Sequence, residues 1–127
     1  MNRGKGEMSE SGIGCQTYWT GIELFNDSRF FDAHEVLEDV WRETSGPEKS
    51  FLQGLVQLAV ALHHHSTGNS LGAGSLLTKA HRNLSGYPPE FGGIRLGALL
   101  RAVSAWQRAL EQGVPPPPLP RVEAARC

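Results

Sequence analysis

The chain has 127 residues, 12 Lys plus Arg against 13 Asp plus Glu, and 39% hydrophobic content. That is enough for one domain with a buried core and too little for two ordinary ones. A net charge of −1 gives no basic excess, so long-range attraction to nucleic acid or an anionic membrane is not expected. Cys15 and Cys127 lie near opposite ends and make neither a disulfide framework nor a paired metal motif. With no apolar leader segment either, the expected setting is reducing and cytoplasmic.

Residues 1–16 are rich in Gly, Ser and charge, and their few apolar side chains cannot offset the entropy of ordering, so a flexible arm is expected. Helical periodicity then sets in. The first helix is predicted over about residues 18–25, ending at Asn26-Asp27-Ser28, and the second over about 30–43, before Thr44-Ser45-Gly46-Pro47. A third spans about residues 48–66 and stops at Gly68. Asn69 or Ser70 can cap a fourth that runs to Ser85, where Gly86-Tyr87-Pro88-Pro89 forces a break. The fifth covers about residues 94–111, with Leu96, Leu99, Leu100, Val103, Trp106 and Leu110 on one face. No stretch alternates with period two, so strands are not expected. Gly113 and the prolines at 115–118 and 120 end the last helix, and residues 113–127 read as a flexible, extended tail. The fold class is thus an all-α, single-domain bundle of about five helices over residues 17–112.

The third helix is apolar around most of its circumference, as a buried central helix would be. Its exceptions, Gln53, Gln57 and His64, project within about 40° of one another and form a narrow polar stripe. Buried amides and imidazoles need partners. In the second helix Phe30, Ala33, Val36, Leu37, Val40 and Trp41 make the apolar face, and His34 lies at its edge with Glu38 one turn on. His34, Glu35 and Glu38 spell H-E-x-x-E. A short connection makes helices two and three an antiparallel hairpin, which can set His34 and Glu38 opposite Gln53 and Gln57 in a polar pocket.

Two kinds of role fit such a pocket. One is a ligand site, either for a small molecule or for a divalent metal held by His34, Glu38 and His64. The other is structural: Glu38 pairs with Arg42, His34 bonds Gln57, and the network fixes helix register. Catalysis would need a nucleophile that the sequence does not mark, so hydrolytic activity has no support. H-E-x-x-E also lacks the second histidine of the zinc-protease motif. His63, His64 and His65 point in three directions on a helix and suit a helix C-terminus, where positive charge is favourable. The three tryptophans, Trp19, Trp41 and Trp106, sit at core spacing.

Two long-range patterns remain. Residues 1–78 carry 5 basic and 10 acidic side chains and residues 79–127 carry 7 and 3, so the near-zero charge conceals an acidic front and a basic back. Either the acidic second helix packs on the later helices or both faces are solvated. A weak repeat at a spacing of 40 sets Ser28-Arg29-Phe30 through Leu37 beside Gly68-Asn69-Ser70 through Leu77. It resembles helix-hairpin repeats of the tetratricopeptide kind, which act as protein-interaction modules, but two imperfect copies do not make a solenoid.

The run L-F-N-x-x-x-F-F-D-A-H-E-V-L-E-D-V-W-R from Leu24 to Arg42 and F-L-Q-G-L-V-Q-L-A-V-A-L-H-H from Phe51 to His64 resemble the DUF309 family of small bacterial and archaeal helical proteins. Gly68-Asn69, Gly72-Ala73 and Y-P-P-E-F-x-G-I from Tyr87 to Ile94 extend the resemblance over about residues 22–103. It implies an all-α bundle with a buried central helix and brings no activity. By position it carries over His34, Glu35, Glu38, Trp41, Arg42, Gln53 and Gln57, with His64 a weaker match. It also leads one to expect a glycine-containing turn where this chain has Asp27-Ser28.

Overall fold

A computed structural model describes residues 13–125; most of the predicted N-terminal arm lies outside the described residues. The first helix, α1 (Gln16–Asn26), buries Tyr18, Gly21, Ile22 and Phe25, the i, i+3, i+4, i+7 spacing of a single face. The Cys15 sulfur accepts from the Tyr18 N–H at 3.5 Å and so caps its first turn. At the other end Ser28 adopts φ 64°, and its neighbour Arg29 donates its backbone N–H to the Leu24 carbonyl at 2.9 Å. This is a Schellman reversal that turns the chain into the next helix.

Helix α2 (Phe30–Arg42) buries Phe30, Ala33, Leu37 and Val40. Its C-terminal end and the turn after it are tied by a side chain from the next helix. The Lys49 ammonium donates to the carbonyls of Trp41 at 2.8 Å and Thr44 at 3.1 Å, where the helix dipole also favours a cation. Helix α3 (Glu48–Ser66) buries Phe51, Leu52, Gly54, Leu55, Leu58, Ala59, Ala61 and Leu62, which covers most of its circumference. It packs against α2 on one flank and α4 (Ser70–Leu84) on another, the central position expected for residues 48–66. Between α3 and α4, Gly68 stands at φ 87° and the Asn69 N–H reaches the His64 carbonyl at 2.8 Å. Asn69 then caps α4 by accepting from the Gly72 N–H at 2.9 Å.

The 40-residue repeat therefore has a structural meaning. Ser28 and Gly68 occupy the same left-handed position of the same reversal, and Arg29 and Asn69 each stand at the N-cap that follows.

Two features were not expected from the sequence. A hairpin of β1 (Glu90–Phe91) and β2 (Ile94–Arg95) precedes the last helix, with Gly92 and Gly93 both at positive φ, as a two-residue type I′ turn requires. Strands of two residues leave no periodicity to read. Helix α5 (Leu96–Gln112) consequently starts two residues later than predicted and buries Leu96, Leu99, Val103, Trp106 and Ala109.

The second difference concerns the tail. Its described part, residues 113–125, lies docked along the bundle instead of extending from it. Pro120 is buried and Val122 is 4% exposed. The side-chain amide of Asn26 clamps Val122 from both sides, donating to its carbonyl at 2.9 Å and accepting from its N–H at 2.8 Å. The proline run does end α5 and hold the backbone extended, but burial of Val122 and backbone pairing with β2 supply what composition alone could not indicate. Tyr18, fully buried, ties α1 to the hairpin by donating its hydroxyl to the Gly92 carbonyl at 2.6 Å.

Candidate functional site

The α2 residues singled out from the sequence form a ladder along its surface. His34 Nε2 lies 3.4 Å from Glu38 Oε1, and Glu38 Oε1 lies 3.6 Å from Arg42 Nη2. Arg42 in turn holds Asp39 at 2.7 Å, and Arg29 holds Asp32 at 2.8 Å. His34 Nδ1 is 3.3 Å from the Phe31 carbonyl oxygen. Both ring nitrogens thus face oxygens, and a ring carrying one proton can donate to only one of them. The side chains of His34 and Glu38 are 22% and 36% exposed and that of Arg42 57%, so these are solvent-screened pairs of at most about 1 kcal/mol each. Glu35 is exposed beside them.

Trp41 closes the C-terminal end of this row. Lys49 Nζ sits 4.2 Å from its ring centroid in a cation–π contact. The buried indole Nε1 has no hydrogen-bond partner among the described residues.

The stripe on α3 does not meet this ladder. Gln57 Oε1 accepts from Asn83 Nδ2 of α4 at 2.7 Å, and His64 Nδ1 lies 3.3 Å from Asn69 Nδ2 at the start of α4. Gln53 is exposed. The partnered members of the stripe therefore face α4, whereas the expected pocket required them to face α2. The physical reason is that α3 has two polar-capable neighbours, and its rotation presents Gln57 to Asn83.

The predicted metal set is corrected for the same reason. His34 and Glu38 are paired on α2 while His64 is engaged at the α3–α4 turn. Among the described residues no group of three or more His, Cys, Asp or Glu side chains is arranged to hold a metal ion.

The three histidines each meet a different element. The ring centroid of His63 is 5.4 Å from Phe31 of α2, His64 contacts Asn69, and His65 stands edge-on to Trp106 of α5 at 4.8 Å. This disposition reveals the residue that sequence reasoning missed. Phe31 is 50% exposed and lies between His34, also at 5.4 Å, and His63. The signal was available: Phe31 follows Phe30, which occupies the apolar face, and a 100° step carries it off that face.

The arrangement is thus an open, charged helix face with an aromatic anchor at one end, on an all-α bundle. Residues 18–76 match the family model described as a domain of unknown function, DUF309. An uncharacterized protein of Aquifex aeolicus (strain VF5) is 32% identical over 93 residues, covering 72% of this chain and 28% of its own length. The uncharacterized protein YpuF of Bacillus subtilis (strain 168) is 38% identical over 64 residues, covering 50% of this chain and 37% of its own. The chain accordingly spans little more than a third of these curated relatives at most. No helix among the described residues is long and apolar enough to cross a membrane.

Proposed function

We propose that this chain is a helical protein-interaction module, and that the α2 face from Phe31 through His34, Glu35 and Glu38 to Arg42 receives a basic segment of a partner protein. The observation that carries this reading is Phe31, half exposed between two imidazole rings. An aromatic side chain held by neighbours loses little entropy on binding and supplies a large apolar contact. Charge selects the partner. Residues 29–43 contain Asp32, Glu35, Glu38, Asp39 and Glu43 against Arg29 and Arg42, so the face is net acidic and favours a cationic segment with an aliphatic anchor. In this reading Gln57 and Asn83 serve packing alone.

A synthetic helical peptide with leucines on one face and lysines on the other, titrated into the isotope-labelled chain, tests the proposal by amide shift perturbation. Shifts should concentrate on α2 and His63. Phe31→Ser and Glu35→Lys should each weaken binding more than tenfold with the thermal midpoint kept within a few degrees. Shifts spread over the whole surface, or an affinity indifferent to Phe31→Ser, would overturn the reading.

A further inference from the structure

The docked tail is built like an exchangeable part. Beyond α5, Gly113 takes φ 68°, and the Val114 N–H returns to the Ala109 carbonyl at 3.0 Å, so the chain reverses there. The prolines at 115–118 follow. Four residues of polyproline geometry span about 12 Å, and Trp106 lies about 10 Å back along the helix from Gly113. The Trp106 indole N–H accordingly meets the Pro118 carbonyl at 3.0 Å. Past that point the receiving groups are fixed by the bundle. Asn26 clamps Val122, the Arg95 N–H donates to the Glu123 carbonyl at 2.8 Å, and the Ala125 N–H donates to the Gly93 carbonyl at 2.8 Å. Ala124 forms an antiparallel bridge with Ile94.

We infer that this groove is also a self-association site: residues 118–125 of one copy dock in the groove of a second copy, and the exchange is reciprocal. Every hydrogen bond named above from Pro118 onward is the same whichever copy supplies the tail. Only the reversal at Gly113 decides between them. A stiff proline run bends poorly, so the change of path falls on Gly113 and Val114. With those two extended, the tail points away from its own groove and toward another molecule's. Two-fold exchange fills both grooves and closes the assembly.

The test uses the full chain. Light scattering after chromatography, from 10 μM to 1 mM and before and after refolding at high concentration, should reveal a dimer that increases with concentration. Gly113→Val, whose branched side chain disfavours the left-handed conformation, should raise the association constant at least tenfold. In a dimer formed from two differently labelled populations, isotope-filtered cross-peaks should join the Asn26 side chain of one copy to Val122 of the other. Monomer at every concentration in both chains would overturn the inference. So would a dimer in which those cross-peaks arise only within one copy.

Discussion

Ser28 is the one non-glycine residue at positive φ among those described, in the reversal where Gly68 serves the equivalent turn. The left-handed conformation costs a residue with a Cβ about 1–2 kcal/mol relative to glycine. Ser28→Gly should therefore stabilise the fold by about 0.5–1 kcal/mol, read from urea unfolding, after allowing for glycine's greater freedom in the unfolded chain. The resemblance anticipated a glycine at this turn, and the backbone supplies the reason. Gln57 and Asn83 allow a second check. Gln57→Ala should cost about 1 kcal/mol, and a double-mutant cycle with Asn83→Ala should show most of that as coupling. The angular position of Gln57 on α3 was readable from the sequence. Its partner was not, because periodicity gives a direction around a helix and not the identity of the element lying there.

Tyr18 offers a prediction in pH. Burial lifts its phenol above the ordinary tyrosine range, since the interior penalises the phenolate. The unfolded chain releases this proton near pH 10 while the folded chain still holds it. The stabilisation is therefore complete below about pH 10 and is lost as pH rises beyond that value. Tyr18→Phe should remove this contribution to the alkaline slope of stability, and at neutral pH should cost about 1 kcal/mol for the lost bond to Gly92.

Among the elements, α3 and α4 approach each other closely at a glycine. A Cβ built on Gly54 would stand 2.7 Å from Leu84 Cγ, and Leu84 is fully buried. Gly54→Ala should destabilise by about 1–3 kcal/mol through forced repacking, measurable as a lower urea midpoint at unchanged slope. Helix boundaries were the most legible part of the fold, because Asn69, Gly68, Pro47 and Gly113 punctuate the apolar periodicity. The short strands were not legible, since two residues carry no period. The tail's docking was hidden for another reason: prolines announce an extended backbone without naming the surface that receives it.

On the scale of the molecule, the uneven charge resolves into solvated faces. The ion pairs among the described residues all fall within residues 29–42 of the acidic front, and none links α2 to the basic helices. The closing element is instead the tail. Asn26→Ala should cost about 1–3 kcal/mol by leaving both backbone groups of Val122 without their partner, and should speed hydrogen exchange at Val122 and Ala125 more than in α3.

The clamp between Asn26 and Val122 joins residues 96 positions apart, whereas the pairs α1–α2, α2–α3 and α3–α4 are each joined by a short turn. Those neighbouring helices can meet as soon as each is made. During synthesis at about 5–20 residues per second, Asn26 waits several seconds for its partner. The first helix therefore emerges early and is locked late, after the helical hairpins between it and the tail have had time to close.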